Sequence, residues 1–238
     1  MTRKIFLCAL VVALLGAFAV MGAAQQAAKP AAPAAAPEKA AAPEKPAAPA
    51  APAAAKEAAA PAPKAAPAPE DKKKHVASGL YVSAKDAYAM WQADKANVKV
   101  LDCRTPEEYA FIGHAPMAVN IPIKFVVYKW DPEKKAYQMK PNPKFLREAK
   151  KRFKKTDTIL VMCRSGHRSA ASANALIKAG YPKVYNIIDG YEGDKVKDKN
   201  SPDFGKRTIN GWKNSGVPWT YDLDVEQIYL IAKPKKTK

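Results

Sequence analysis

Three short apolar runs, at residues 98–101, 159–162 and 184–188, are bounded by polar or turn-forming residues and have the length of buried strands. The stretches between them carry apolar positions at helical spacing. Residues 84–91 read as a helix packed on one face, with Ser83 as its N-cap. Farther on, Thr105 is a second N-cap, Pro106 suits the first helical position, and Glu108 stands where a capping box needs it. That helix carries Tyr109 and Phe111 and breaks at Gly113. Residues 144–155 read as a basic helix, with seven Lys or Arg and with Phe145, Leu146 and Phe153 free to pack, and residues 170–179 as a helix with few polar positions. Strands alternating with helices at these spacings predict an α/β domain with a mainly parallel central sheet. Two patterns are ambiguous. Residues 125–143 read as a hairpin or a long loop beside the site, and residues 221–231 as an edge strand or a return over the sheet.

The first third of the chain has a different composition. Thr2-Arg3-Lys4, the apolar run over residues 5–21 and the small residues Gly22-Ala23-Ala24 have the form of an export signal, residues 1–24, cleaved before Gln25. Cys8 would leave with it. The run is close to spanning length, so an uncleaved N-terminal anchor is the alternative. From residue 27 to residue 70 only Ala, Pro, Lys and Glu occur. With no branched apolar or aromatic residue this stretch has no core to form, and its prolines interrupt helix propagation. Residues 25–75 therefore read as an extended, disordered linker, and residues 76–238 as one domain large enough for a core. Either reading of the N-terminus puts the domain in the periplasm or outside the cell, free or anchored at the inner membrane and facing the periplasm. The membrane is a partner only if the segment is uncleaved.

The formal net charge is +18, from 40 Lys and Arg against 22 Asp and Glu. No zinc-finger, RNA-binding or helix-turn-helix pattern accompanies it, and export argues against nucleic acid as a partner. Small anions, anionic lipid or acidic proteins fit a basic surface better. The histidines, at 75, 114 and 167, lack metal-ligand spacing, so no metal is expected, and no cofactor.

The chemistry concentrates in Cys163-Arg164-Ser165-Gly166-His167-Arg168-Ser169, between the strand at 159–162 and the helix at 170–179. A chain turning from strand to helix there aims successive backbone N–H groups into one small concavity. Such a nest lowers a thiol pKa and holds an anion over it. The alternative is a buried structural cysteine near two surface arginines.

This segment resembles the active loop of the rhodanese-like sulfurtransferases, a six-residue loop followed here by Ser169. The resemblance implies a three-layer rhodanese-like fold with Cys163 as a persulfide carrier. Arg168 would act with Cys163 in catalysis, and Arg164, Ser165, Gly166, His167 and Ser169 would line the substrate site. Dual-specificity phosphatases share the fold but use a loop one residue longer, Cys-x5-Arg, and position 169 here is Ser. Leu101-Asp102-Cys103-Arg104-Thr105-Pro106-Glu107-Glu108-Tyr109 with Gly113-His114 resembles the first block of the same family, which implies that Asp102 and Arg104 brace the loop and that His114 is structural. Pro116-Met117-Ala118 departs from the glycine-containing turn usual after Gly-His. Asp189-Gly190-Tyr191-Glu192-Gly193-Asp194 and Gly211-Trp212-Lys213-Asn214-Ser215-Gly216-Val217-Pro218-Trp219 resemble later segments of exported single-domain members, so the likeness covers about residues 79–219.

The implied reaction moves a sulfane sulfur from thiosulfate or a related small sulfur oxyanion to cyanide or a thiol, with a periplasmic protein as a further candidate acceptor. The rival readings are a phosphatase or arsenate-reductase-like enzyme, a non-enzymatic persulfide-binding or interaction module, and a redox pair of Cys103 with Cys163. If Asp102 and Arg104 face the loop, strand alternation turns Cys103 away into the core, which predicts an inert buried thiol rather than a bridge.

Overall fold

The computed structural model describes residues 65–231. The signal or anchor at residues 1–24, and the linker as far as residue 64, lie outside the described residues. Among the described residues no helix is long and apolar enough to cross a membrane.

Strands β1 (Tyr81–Val82), β2 (Val98–Asp102), β3 (Ala118–Asn120), β6 (Thr158–Met162) and β7 (Val184–Ile187) form one parallel sheet in the order β1-β7-β6-β2-β3. Strands β4 (Lys124–Asp131) and β5 (Ala136–Pro141) pair separately as an antiparallel hairpin, which resolves the ambiguity over residues 125–143. Helix α1 (Ala84–Ala93) is capped by Ser83, whose side chain accepts from the Asp86 N–H. Helix α2 (Pro106–Ile112) has the expected Thr105/Glu108 capping box and ends at Gly113. Helices α3 (Phe145–Arg152) and α4 (His167–Lys178) complete the domain.

Alternation along the central strands sorts the core into two halves. Leu101, Cys103, Ile159, Val161 and Cys163 share one cluster with Phe145 and Ala149 of α3 and Ala170, Ala173 and Leu176 of α4. Val98, Val100, Leu160 and Met162 share the other with Ala84, Ala87 and Met90 of α1, Tyr109 of α2, and Tyr191 and Trp212. The sheet thus lies between two helical layers, the expected three-layer α/β architecture. A parallel sheet covered on both faces requires strands apolar on both sides, which is why residues 159–162 form an unbroken apolar run.

The C-terminal stretch returns along β3 without joining the sheet as a strand. The Asn120 N–H donates to the Gln227 carbonyl (2.8 Å), and the Tyr229 ring packs 5.5 Å from that of Phe125 at the base of the hairpin. At the other end, the chain before β1 already packs on the domain. The Ala66 N–H donates to the Tyr81 carbonyl (2.9 Å), and a short turn of 3-10 helix, Lys72–Lys74, leads into the site.

Candidate active site

Cys163 follows β6 directly, and α4 begins at His167, so four residues turn the chain from strand to helix. The turn depends on Gly166, whose φ of +93° is a conformation that side chains resist. A Cβ there would stand 2.3 Å from the Ile188 carbonyl oxygen. In this conformation the Gly166 N–H points back at Cys163 and donates to Sγ (3.2 Å). The Ser169 hydroxyl lies 3.4 Å from the same sulfur and 2.7 Å from Asn186 Oδ1. Cys163 is buried.

Burial alone would raise the Cys163 thiol pKa. The hydrogen bond with Cys103, the Arg168 charge and the Ser169 donors outweigh it and hold the thiol well below its ordinary value. The Gly166 N–H, the Ser169 donors and the Arg168 charge thus favour the thiolate form of Cys163 over the thiol.

The model for the rhodanese-like domain family matches residues 83–197. A stretch of 96 residues, 40% of this chain, is 38% identical to thiosulfate sulfurtransferase 16, a chloroplastic protein of Arabidopsis thaliana, and covers 72% of that protein. The chain belongs to the rhodanese-like family. It is also 38% identical over 97 residues to the senescence-associated protein DIN1 of Raphanus sativus, where the match covers 41% of this chain and 48% of that protein. The chain thus spans about half the length of several of the curated relatives it matches. Among solved structures, Rv0390 from M. tuberculosis is 26% identical, with 59% of this chain and 96% of that one covered at a TM-score of 0.45.

In this rhodanese-like domain the sequence-predicted residues divide into several groups. Cys163, Gly166 and Ser169 meet around one sulfur. Ser165 is buried in the turn, and Arg164 is exposed at its surface. His167 points outward, with Nε2 2.7 Å from Asp71 Oδ2. Arg168 acts on Cys163 through its charge, while its guanidinium is held by Glu108.

Asp102 and Arg104 form a fully buried ion pair (2.6 Å) on the α1/α2 side of the sheet. Arg104 also donates to the Gly113 carbonyl (2.8 Å) and stacks 3.9 Å from the centre of the Tyr191 ring. Tyr191 in turn donates its N–H to the Cys163 carbonyl (2.7 Å), so the ion pair braces the loop from beneath. The Glu192 and Gly193 N–H groups hold the Arg164 carbonyl in the same way. Gly190, at φ +64°, allows this close approach: a Cβ there would lie 2.6 Å from the Cys163 carbonyl oxygen. His114 is buried, stacked on Tyr109 and paired through Nδ1 with the Tyr109 carbonyl (3.1 Å), a structural placement.

Cys103 is a free, buried thiol, as expected, but it is not turned away from Cys163. Alternation holds, but the faces are reversed: Asp102 and Arg104 brace the turn from the α1/α2 side, and Cys103 lies on the same face as Cys163. The two thiols interact closely enough to shift each other's pKa, raising that of Cys103 and lowering that of Cys163.

Three contributors escape the sequence reading. Asn186 on β7 is fully buried; its Oδ1 is 2.7 Å from the Ser169 hydroxyl, and its Nδ2 donates to the carbonyls of Gly166 (3.1 Å) and Lys74 (2.8 Å). A lone amide within the apolar run 184–188 was the available signal. Glu108, recognisable as a capping residue, has the second task of holding Arg168. Arg207 donates to the carbonyl of Gly193, whose own N–H holds the Arg164 carbonyl, and its pKa is lowered by burial and then by the like charge of Arg164. Among the described residues, no group of three or more His, Cys, Asp or Glu is placed to hold a metal.

Proposed function

We propose that the protein is a sulfurtransferase that carries a sulfane sulfur on Cys163. The observation that carries this reading is the thiolate-stabilising turn: a buried sulfur that accepts from the Gly166 N–H and lies beside Ser169, Cys103 and the Arg168 charge. A thiolate in such a turn is a nucleophile held beside an anion-binding surface. The name of the Arabidopsis relative, thiosulfate sulfurtransferase, supports thiosulfate as donor.

In the first step the Cys163 thiolate attacks the outer sulfur of thiosulfate. A sulfur–sulfur bond forms to Cys163, the one within thiosulfate breaks, and sulfite leaves with that bond's electron pair. Arg164, exposed at the surface of the turn, and Arg207 bring positive charge to this side of the domain, which favours a dianionic donor. In the second step cyanide or a thiolate attacks the outer sulfur of the persulfide and restores the Cys163 thiolate. The N-terminal sequence supports export, so the proposed acceptors are those of the periplasm, a protein thiol among them.

The test is a thiosulfate–cyanide assay run beside one with a small aryl phosphate, together with the intact mass of the protein after thiosulfate. Sulfur transfer without phosphatase turnover is expected, with one sulfur atom found on Cys163 at early times, before the persulfide reacts further, and both the transfer and the added sulfur are lost in Cys163→Ser. Transfer that survives Cys163→Ser, or phosphatase turnover exceeding it, would overturn the reading.

A further inference from the structure

Cys163 has a second thiol beside it that the transfer reaction does not use. Strands β2 and β6 run parallel in register, with Asp102 opposite Met162, so the next residues of the two chains, Cys103 and Cys163, continue side by side. The Cys103 N–H donates to the Met162 carbonyl (2.9 Å), which locks that alignment one residue beyond the strands. Neighbouring strands lie about 4.8 Å apart, inside the roughly 4.4–6.8 Å between Cα atoms that a disulfide spans. Both side chains are buried in the same cluster between the sheet and α4, and both are free thiols.

We infer that Cys103 is a resolving thiol, which attacks the inner sulfur of a Cys163 persulfide and expels the carried sulfur as hydrosulfide. The inference rests on the persulfide reading above and adds a second fate for the sulfur. In this step the Cys103 Sγ–Cys163 Sγ bond forms and the Cys163 Sγ–outer sulfur bond breaks. The outer sulfur takes that electron pair, together with the proton that Cys103 gives up, and leaves as HS⁻. Two thiol sulfurs are oxidised to a disulfide, and one sulfane sulfur is reduced to sulfide. An external dithiol then reduces the disulfide by thiol–disulfide exchange and becomes a disulfide itself. The full cycle converts thiosulfate and a dithiol into sulfite, sulfide and an oxidised dithiol.

Position and electrostatics shape the step. Cys103 follows the strand beside Cys163, whereas the Gly166 N–H reaches Cys163 Sγ from the turn into α4. Burial, and then the interaction with Cys163, raise the Cys103 pKa well above the ordinary thiol value, so Cys103 rests as a thiol and becomes a nucleophile only as its proton passes to the leaving sulfur, which makes this step slower than loading. Burial also keeps bulky acceptors from Cys103, so it reacts with its neighbour in preference to substrates in solution.

The experiment uses the full-length protein, reduced, freed of reductant and given an equimolar amount of thiosulfate. Sulfite, sulfide and intact mass are followed together. The expected result is release of sulfite, then of sulfide in equal amount, leaving a protein lighter by two hydrogens with Cys103 and Cys163 closed to alkylation. Cys103→Ser should load sulfur and then hold it, with total loss of sulfide release. Wild-type protein that keeps the added sulfur on Cys163 and releases no sulfide overturns the inference while leaving the transfer reading intact. So does sulfur found on Cys103, which would mean attack at the outer atom. Absence of both sulfite and added sulfur in the wild type overturns the transfer reading itself, and this inference with it. The wild-type measurements stand whether or not the serine variant folds.

Discussion

Arg168 and Glu108 form a two-pronged ion pair, with Nη1 2.6 Å from Oε2 and Nη2 2.6 Å from Oε1. Both groups are mostly withdrawn from solvent, at 17% and 22% side-chain exposure. Glu108 also caps α2, accepting from the Thr105 N–H (3.0 Å), so the guanidinium is tied to a rigid helix end. Arg168 in this position stabilises the Cys163 thiolate through its charge, with both Nη atoms engaged by Glu108. This sets what Arg168→Ala should do. The Arg168 charge lowers the Cys163 pKa, so its removal raises that pKa and depletes the thiolate at neutral pH. Activity and iodoacetamide labelling should fall together, by about 10- to 100-fold if the contact contributes about 1.5–3 kcal/mol. As the pH rises past the shifted pKa, the variant should regain the wild-type labelling rate. A loss confined to the KM for thiosulfate and constant with pH would instead mean that Arg168 holds the donor.

The buried pair beneath the loop makes a prediction about stability. Arg104→Met leaves the fully buried Asp102 carboxylate without its cation. Stranding one member of a buried pair costs about 3–5 kcal/mol. The double change Asp102→Leu/Arg104→Met removes the stranded charge and should recover part of that loss in urea unfolding. A cost for Arg104→Met no larger than that of an exposed pair, about 0–1 kcal/mol, would show that solvent reaches Asp102.

What could be read from the sequence follows from locality. The capping box at Thr105 and Glu108, the break at Gly113 and the strand–turn–helix at Cys163 are set by neighbours in sequence, and all three are present in the structure. The two helical layers follow from unbroken apolar strands. The sequence could supply the alternation of Asp102, Cys103 and Arg104 but not which face meets which layer, because that depends on where α1/α2 and α3/α4 pack. Cys103 was assigned to the wrong side for that reason. Asn186 reaches Ser169 and Gly166 across 17 and 20 residues of chain, marked only as a lone amide in an apolar run, and Arg207 lies farther along still with no local pattern to mark it.

Gly166 and Gly79 offer a matched comparison. Both have positive φ, +93° and +67°, but a Cβ on Gly79 meets nothing within 4 Å, whereas one on Gly166 meets the Ile188 carbonyl at 2.3 Å. Gly79→Ala should therefore cost only backbone strain, about 1 kcal/mol, and leave sulfur loading unchanged. Gly166→Ala must also shift the turn, withdrawing the N–H that donates to Cys163 Sγ. Its loading rate should fall by at least about tenfold, an effect of roughly 1.4 kcal/mol on the barrier. Equal behaviour of the two variants in a single-turnover thiosulfate experiment would show that the turn tolerates a side chain.

The segment before the sheet is low in apolar residues, yet its last part is built into the site. Lys74 is buried: its Nζ pairs with Asp194 (3.1 Å), and its carbonyl accepts from Asn186 Nδ2 (2.8 Å), the same amide that holds Gly166. Asp71 meets His167 at the start of α4, and the His75 carbonyl accepts from Asn174 farther along that helix (3.2 Å). A chain beginning at Ala65 keeps all of these contacts, while one beginning at Ala77 loses the Lys74 carbonyl and leaves a buried Nδ2 donor unsatisfied, a loss of about 1–3 kcal/mol. Composition alone would treat the two as equal, since residues 65–76 have little to bury. The expected outcome is that the longer chain matches the full-length protein in urea midpoint and thiosulfate turnover. The shorter one should unfold at lower urea and turn over more slowly, because Asn186 can no longer hold both Lys74 and the Gly166 turn. Identical midpoints and rates for the two chains would mean that water replaces the Lys74 carbonyl and that the packing of residues 71–75 on α4 contributes nothing to the loop.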